Sequence, residues 1–388
     1  MFSPIETLAK VPGALTKASS TKDPSYKWPR VPLIDTRRKV AEKYGRAEDY
    51  GFFGPDSVSW KVWSHSSSLI LGFVRSVTIE HLDPNLTAAV VQSGGVKYRT
   101  HTRYGRTMAY FSQVTFGASR PTAKAADVLV KVHSKAIGTD PVTGGRYDAN
   151  DPESQLWIHV TAWHSILYCY EKFGGGKLAP AEELRYWDEC ARAAELQTID
   201  PDRVPRSRAE VVAYFEEKRP HLASSEAAVD MVKFILALHV ALPPTMSRWQ
   251  RAPFLPLTFI LSKGVIATYP KYMRDLLAIR QGPLVNAVAI PATWAVHQVI
   301  ERSFVLKYFL MSVLSPQALP SAIPAVLGVE AEKPVTTTPR EAQARYGYDV
   351  PREAHLGFRA KQYQRVFDDG QAPSEEGLVE SQEHIGAM

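Results

Sequence analysis

Cysteine is scarce in this sequence. Only Cys169 and Cys190 occur among its 388 residues, and they do not form a Cys-x-x-Cys pair. Structural zinc sites and iron–sulfur clusters are held mainly by grouped cysteines, so neither is expected here. The same scarcity fits a reducing compartment, and no apolar stretch with a cleavage site follows Met1. We therefore expect a cytoplasmic protein, with membrane association as the alternative.

The motifs of several enzyme classes are missing as well. The sequence has no GxxxxGK[ST] phosphate loop and no GxSxG nucleophile elbow. Its triple glycine, Gly174-Gly175-Gly176, follows a predicted helix, and the alternating strands of a dinucleotide-binding fold are absent. His159 and His164 are five residues apart, so they miss the i, i+4 spacing of zinc-binding helices. These absences disfavour P-loop enzymes, nicotinamide dehydrogenases, serine hydrolases and zinc proteases.

Positive charge is present but dispersed. The formal net charge is +6 and the sequence pI is ≈ 9.1, yet no run of lysines and arginines stands out. A nucleic-acid-binding protein is expected to carry a clustered basic patch or a known binding module. We therefore expect no nucleic-acid partner, and the oligomeric state stays open.

Strict alternation of polar and apolar residues is nearly absent, whereas helical spacing recurs, so the fold class predicted is all-α. We expect an N-terminal arm (1–45), one large helical domain (46–330) and a polar C-terminal tail (331–388), acidic and flexible after Gly370. Residues 138–150 are predicted to be a loop. Further helices are expected at 179–196, after the capping box of Ser207 and Glu210, and at 225–241.

Two long stretches, Gln281–Ile300 and Tyr308–Val329, contain no Asp, Glu, Lys or Arg. Each is long enough to span a membrane, but both contain prolines, and the first also contains Asn286 and His297. We interpret them as buried core helices, with the 254–314 region lining an apolar pocket. Contact with a membrane surface is the alternative.

One stretch predicts a long central helix. Asp151 is a good N-cap residue, Pro152 suits the first helical position, and Gly174 can end the helix. His159 falls at the edge of its apolar stripe, and His164 lies on another face; the stripe comprises Leu156, Val160, Trp163, Leu167 and Tyr170. An inward imidazole can be an axial haem ligand or a core histidine bonded to a neighbour. Both interpretations stay open.

A second predicted helix, after Pro121, directs His133 inward beside Leu129 and Val130, whereas Lys131 should point outward. A haem pocket needs an axial histidine, a polar group on the opposite side and cations for the propionates. His159, His133 and the arginines Arg99, Arg103 and Arg106 could supply these parts. Helical periodicity does not show that they converge, and core packing and salt bridges are the alternatives.

Five motifs occur in an order that resembles the MpaB-type and latex-clearing-protein (rubber oxygenase) catalytic domain family, over roughly residues 50–280. The motifs are Gly51-Phe52-Phe53-Gly54-Pro55-Asp56-Ser57-Val58-Ser59-Trp60-Lys61-Val62, the His81-x-Asp-Pro84 break, Arg103-x-x-Arg106-Thr107 leading to Phe116-Gly117, Val130-Lys131-Val132-His133, and Tyr147-Asp148-Ala149-Asn150-Asp151-Pro152-Glu153 running into Trp157-Ile158-His159-Val160.

The resemblance implies an all-helical, globin-reminiscent fold, a b-type haem and dioxygen as co-substrate. It implies an oxygenase acting on a hydrophobic, isoprenoid or lipid-like substrate. His159 matches the family's proximal haem ligand, and His133 falls where a distal polar residue stands, with Lys131 as a second catalytic candidate. Cofactor binding is assigned to Arg103, Arg106 and Thr107. The family commonly has an arginine where this chain has Val130, which departs from rubber-cleaving members.

The alternative is a non-catalytic helical protein that binds haem or an apolar ligand for storage or sensing. A third interpretation is a membrane-surface protein built on residues 281–329. An absorption spectrum separates the first two classes from a protein without haem, and turnover under dioxygen separates an enzyme from a carrier.

Overall fold

The computed structural model describes residues 27–372 with the exception of residues 85, 88–99 and 140–143. The described chain is helical apart from one small sheet, which confirms the all-α prediction. Its first half contains α1 (Thr36–Tyr44), α2 (Val58–Trp63), α3 (Phe73–Glu80), α4 (Thr100–Phe116), α5 (Ser119–His133), β1 (Ile137–Thr139), β2 (Arg146–Asp148), α6 (Pro152–Phe173) and α7 (Pro180–Ala194). A π-helical turn, Ser68–Gly72, leads into α3.

The second half continues with α8 (Arg208–Lys218), α9 (Glu226–Leu236), α10 (Arg248–Arg251), α11 (Phe254–Ile266), α12 (Lys271–Leu276), α13 (Pro283–Arg302), α14 (Phe304–Leu314), α15 (Leu319–Leu327), α16 (Pro339–Tyr346) and α17 (Pro351–Tyr363). Short 3-10 turns occur at Pro201–Arg203, Arg219–His221, His239–Ala241 and Pro316–Ala318, and a π-helical turn, Gln364–Asp368, follows α17.

Helix α6 is the central element of the fold. The side chain of Asp151 accepts a hydrogen bond from the backbone N–H of Ser154 at 2.9 Å, and the helix ends at Gly174, both as predicted. The helix buries residues around most of its circumference, and it packs against α3 and the π-helical turn before α3. Burial of Trp157 and Trp163 on different faces makes it the core of the protein.

The motif Gly51-Phe52-Phe53-Gly54 begins at a close contact between two backbone segments. Gly51 has φ +63°, and a Cβ atom built on it would lie 2.1 Å from the carbonyl oxygen of Gly117. The buried carboxylate of Asp49 accepts hydrogen bonds from the backbone N–H groups of Gly51 (2.8 Å) and Ser119 (2.7 Å). Two motifs that are distant in sequence therefore meet at one point beneath α5.

The start of α2 is fixed by a carboxylate from α7. Glu189 is buried and accepts hydrogen bonds from the backbone N–H groups of Val58 (3.1 Å) and Ser59 (2.6 Å). A negative charge at a helix N-terminus satisfies N–H groups that have no partner within the helix. The N-cap residue, Ser57, also accepts a hydrogen bond from the backbone N–H of Trp60 at 3.1 Å.

The two terminal segments contain packed helices, unlike the arm and the tail that the sequence predicts. Helix α1 buries Val40 against α15, and α16 and α17 both pack on α5. Short helices with few apolar residues give weak periodicity, which explains why the sequence does not reveal them. Residues 1–26 and 373–388, which include the acidic end, lie outside the described residues.

The predicted loop at 138–150 contains a small antiparallel hairpin. Strands β1 and β2 pair in the register Ile137↔Asp148, Gly138↔Tyr147 and Thr139↔Arg146. Strands of three residues are too short to show alternation, so the prediction of a plain loop was wrong here.

Helix α13 is not the buried core helix that its composition predicts. Only 22% of its most apolar 18-residue window is buried. By length and composition α13 is the one described helix that could cross a membrane, and the bent pair of α14 and the segment Pro316–Leu327 would make a second. The buried side of α13 consists of Ala289, Thr293, His297 and Ile300, which leaves an apolar side exposed.

Candidate functional site

A cavity of ≈ 240 Å³, measured as the space open to the centres of water molecules, lies among α3–α6, α9 and the turn at 239–241. A single water needs only about 10–15 Å³ by that measure, so the cavity suits a much larger molecule. Its walls are formed by Phe73, Val74, Val77, Glu80, His81, Leu86, Thr100, Arg103, Tyr104, Thr107, Tyr110, Phe111, Leu129, His133, Tyr147, Asp148, Ala149, Ser154, Gln155, Ile158, Gln197, Ile235, Leu238, Val240 and Ala241.

The walls come from a different part of the chain than predicted. Residues 73–241 line the cavity, whereas the 254–314 region contributes none of its residues. That region lines only a small pocket of ≈ 30 Å³ on the other side of Tyr104. Helices α11 and α13 instead leave several apolar residues exposed, among them Phe259, Leu284 and Val288.

One face of α3 supplies both apolar and acid–base groups. Phe73, Val77 and Glu80 lie at helical spacing on this face, with His81 at the helix end. Phe73 and Val77 form the apolar part of this face, and the titratable side chains of Glu80 and His81 follow at the C-terminal end of α3. The face therefore joins an apolar surface to a pair of proton-exchanging groups.

His81 is held as a neutral imidazole with a defined tautomer. Its Nδ1 lies 2.6 Å from the carbonyl oxygen of Val77 and donates to it, which leaves a lone pair on Nε2. The Nε2 atom is buried and has no hydrogen-bond partner. Burial lowers the pKa of His81 to about 4, with a smaller lowering by Arg103. His81 is therefore uncharged at neutral pH.

Glu80 lies half-buried beside His81 and accepts a hydrogen bond from the hydroxyl of Ser76. Burial raises its pKa to about 7, although the Ser76 hydroxyl and the Arg103 guanidinium both act to lower it. A carboxyl group with a pKa near neutrality can take up or release a proton at working pH. Glu80 is the strongest acid–base candidate on the cavity wall.

His133 ends α5 and faces the cavity, as the sequence predicts. Burial and, to a smaller extent, the Arg103 guanidinium lower its pKa to about 4. It is half-buried, and no hydrogen bond engages its ring within the described part of the chain. Arg103 acts electrostatically on Glu80, His81 and His133, so these four side chains form one cluster.

His159 is buried as predicted, but it lies behind the cavity wall. Its Nε2 is 2.8 Å from the carbonyl oxygen of Cys190, and its Nδ1 is 3.1 Å from the side-chain nitrogen of Gln197. Both ring nitrogens are therefore engaged by protein groups, and burial lowers the pKa of His159 to about 4. Gln197 reaches the cavity in its place.

The other predicted residues divide between wall and surface. Arg103 and Thr107 line the cavity, whereas Arg106, half-buried on the same helix, does not. Lys131 is directed outward and pairs with Asp127 at 2.7 Å, because it lies about 200° around the helix from Leu129. The structure does not bring Lys131 to the cavity. Arg99 lies outside the described residues.

Several polar groups of the cavity receive no role in the sequence analysis, among them Glu80, Gln197 and the buried Tyr110 hydroxyl, which has no hydrogen-bond partner within the described residues. A signal for Glu80 was available, since it continues the helical spacing of Phe73 and Val77. No local pattern marks Gln197, which follows α7 and reaches the cavity only through the tertiary fold.

The family model described as "ER-bound oxygenase mpaB/B'/Rubber oxygenase, catalytic domain" matches residues 60–300, well over half of the chain. The chain belongs to this family. The match confirms the resemblance found in the sequence. Because the members of this family are oxygenase catalytic domains, the chain is an oxygenase, an enzyme that uses dioxygen. No curated protein and no solved structure matches the chain.

The cavity of this oxygenase can be tested against the haem that the resemblance implies. Within the described residues no group of three or more His, Cys, Asp or Glu could hold a bare metal ion, but an axial haem site needs only one such side chain. The cavity offers two neutral imidazoles with unengaged nitrogens, His81 and His133, an arginine and apolar walls. These residues fit a haem.

Proposed function

We propose that the chain is a haem b-dependent oxygenase that oxidises a hydrophobic, unsaturated substrate of isoprenoid or lipid-like type. The observation that supports this most directly is the placement of His133. Its neutral ring opens into a largely apolar cavity, next to the guanidinium of Arg103. An imidazole that is uncharged, accessible and without a hydrogen bond is available to ligate iron.

In this proposal His133, rather than His159, would hold the haem iron. Ligation by His159 would require its ring to give up the bond to Cys190 or the bond to Gln197. His159 then acts as a positioning residue that orients Gln197 on the cavity wall. Breaking either buried hydrogen bond costs about 1–3 kcal/mol for the group left without a partner.

Arg103, the cationic side chain on the cavity wall, suits the propionate groups of a haem. Arg103 would pair with a propionate, and the hydroxyl of Thr107, one helical turn further along α4, lies on the same wall. A bound haem supplies the redox-active iron at which dioxygen reacts. Lys131 and Arg106 have no role in this proposal, because neither lies on the cavity wall.

Glu80 and His81 provide proton exchange next to the cluster. With a pKa of about 7, the Glu80 carboxyl can take up or release a proton at the cavity wall near neutral pH. The Nε2 lone pair of His81 can accept a hydrogen bond but holds no proton at neutral pH. Glu80 thus provides proton exchange, and His81 provides a hydrogen-bond acceptor.

The substrate class follows from the apolar part of the wall. Phe73, Val77, Phe111 and Leu129 line the cavity together with the apolar residues of 235–241. A water-soluble substrate would leave its polar groups without partners there, whereas a hydrocarbon chain would not. The apolar wall therefore supports an isoprenoid or lipid-like substrate.

The test is dioxygen uptake by the haem-supplemented protein with squalene or oleic acid as the unsaturated probe. We expect probe-dependent uptake, and we expect Val77→Trp, which fills the cavity, to abolish it. The matched control is Val212→Trp at an exposed position on α8. Haem binding without any uptake would contradict the oxygenase proposal and support the non-catalytic binding protein instead.

A further inference from the structure

An apolar surface lies on one side of the molecule, and none of its residues lines the cavity. Half of the exposed large hydrophobic residues in the described chain fall between residues 249 and 299. We name them the outer apolar face: Trp249, Leu255, Phe259, Leu284, Val285, Val288, Trp294 and Val299. Apolar patches of this extent are uncommon on soluble monomers and mark binding surfaces.

Helix α13 shows a reversed amphipathic pattern. Its polar residues Thr293 and His297 are buried, while Leu284 (82% exposed) and Val288 (70% exposed) face outward. Positions 284, 288, 291, 295 and 299 follow one another at helical spacing and are all exposed. This stripe is about 23 Å long at 1.5 Å per residue. Because solvent-facing helix sides are normally polar, the stripe is suited to an apolar environment.

The stripe is fixed in place by close packing on its other side. A Cβ atom on Gly264 of α11 would lie 2.3 Å from the hydroxyl oxygen of Thr293, so the two helices are in close contact. His297 also lies 2.9 Å from the hydroxyl of Ser66 through Nδ1. Helix α13 is therefore held along the body of the protein, which favours a helix that lies in a surface over one that crosses a bilayer.

The charge around this face indicates the occupant. Residues 248–308 contain eight Lys and Arg against two Asp and Glu, a net charge of +6 that equals the net charge of the whole chain. Both acids are already paired, Asp275 with Lys271 at 2.6 Å and Glu301 with Lys307 at 2.8 Å. The remaining cations have no carboxylate partner within the described residues; they are Arg248, Arg251, Lys263, Arg274, Arg280 and Arg302.

We infer that the outer apolar face docks on an anionic lipid bilayer, with α13 lying in the interface. Exposed Trp249 stands beside Arg248, and Lys263 lies over the ring of Phe259 at 5.3 Å. Tryptophan at headgroup depth, apolar side chains below it and cations that contact anionic headgroups are the features of helices that lie in a membrane interface. A second copy of this chain would carry the same +6 and would be repelled.

The face also adjoins the cavity. The turn His239–Ala241 packs against α11, and its residues Val240 and Ala241 line the cavity. A lipid-soluble substrate would therefore enter from the bilayer side, a route that rests on the proposed function, whereas the docking itself does not. Partition into the bilayer would concentrate an apolar substrate at this entrance.

The test is flotation of the full chain with vesicles of phosphatidylcholine containing phosphatidylserine, compared with phosphatidylcholine alone. We expect binding to the anionic vesicles that weakens with added salt. Leu284→Ser/Val288→Ser should weaken it about tenfold or more. The matched control, Val212→Ser/Leu356→Ser, changes two apolar residues that are also exposed but lie on α8 and α17, and should bind as the unchanged chain does.

The inference would be overturned if the unchanged chain did not bind vesicles, or if the α13 double variant bound them equally well. It would also be overturned by a dimer in lipid-free buffer that the α13 variant dissociates, since the face would then be covered by a second copy. Haem absorbance is recorded on every variant. A variant that loses vesicle binding but keeps haem reports on the docking surface alone. A variant that loses haem but keeps vesicle binding reports on the proposed oxygenase alone.

Discussion

Gln197 donates a hydrogen bond from its side-chain amide to Nδ1 of His159 across 3.1 Å, and Gln197 is the one of the two that lines the cavity. The most conspicuous histidine of the central helix is thus connected to the site through a neighbour. Its other nitrogen is bonded to the carbonyl oxygen of Cys190. Such a fully engaged ring orients other groups, whereas the open ring of His133 is free to bind a ligand.

Glu80 should set the pH dependence of the reaction. Its pKa of about 7 makes it a carboxylate above neutrality, so a rate that needs a base should rise with pH through about 7. Glu80→Gln should remove this inflection while haem absorbance is kept. Ser76→Ala should move it to higher pH, because the Ser76 hydroxyl lowers the pKa of Glu80. An inflection that stays in place in both variants would exclude this role.

Acid should destabilise the protein through its buried histidines. The pKa values of His81 and His159 are about 4 in the folded chain against 6.5 for an ordinary histidine, so the unfolded chain binds protons more readily. This destabilising effect is absent above pH 6.5 and grows as the pH falls towards 4. Each should lower the free energy of unfolding by up to about 3 kcal/mol.

Urea unfolding of the unchanged chain and of His159→Gln, compared between pH 7 and pH 4, checks this prediction. The variant is expected to start from a lower stability at pH 7, because it loses two buried hydrogen bonds, and to fall less steeply with acid. Parallel curves for the two proteins would show that His159 titrates normally in the folded state.

Gly51→Ala should be strongly destabilising. Gly51 has φ +63°, and the new Cβ would lie 2.1 Å from the carbonyl oxygen of Gly117. The left-handed conformation alone costs a non-glycine residue about 1–2 kcal/mol, and the clash adds to it. Gly144→Ala is the matched control, because Gly144 has φ +72° and no described residue lies near the added methyl group. Equal losses of thermal stability in the two variants would show that the contact with Gly117 can relax.

Local signals in the sequence were sufficient for much of the fold. The cap at Asp151, the stop at Gly174 and the cap at Ser207 are local features, and each lies where predicted. Terminal helices α1 and α16 escaped prediction, because they are short and gain their stability from the surfaces on which they pack. Local pattern thus finds long helices with strong caps and misses short helices that depend on tertiary contacts.

The candidate site was only partly predictable. Helical spacing correctly turned His133 inward and Lys131 outward, and it put His159 in the core. It could not distinguish a histidine that faces a cavity from one that faces a carbonyl oxygen, because both lie on the buried side of a helix. The apolar composition of α13 was equally ambiguous, since burial and an exposed lipid-facing surface favour the same residue types.

The sharpest test of the ligand assignment is a haem titration followed by the Soret absorbance, in the unchanged chain and in His133→Ala, His81→Ala and His159→Ala. We expect a Soret band for the unchanged chain, its loss or shift in His133→Ala with recovery on addition of imidazole, and a retained band in the other two variants. A His133→Ala protein with an unchanged band, insensitive to imidazole, would contradict this assignment. Loss of the band in His159→Ala alone would assign the iron to His159.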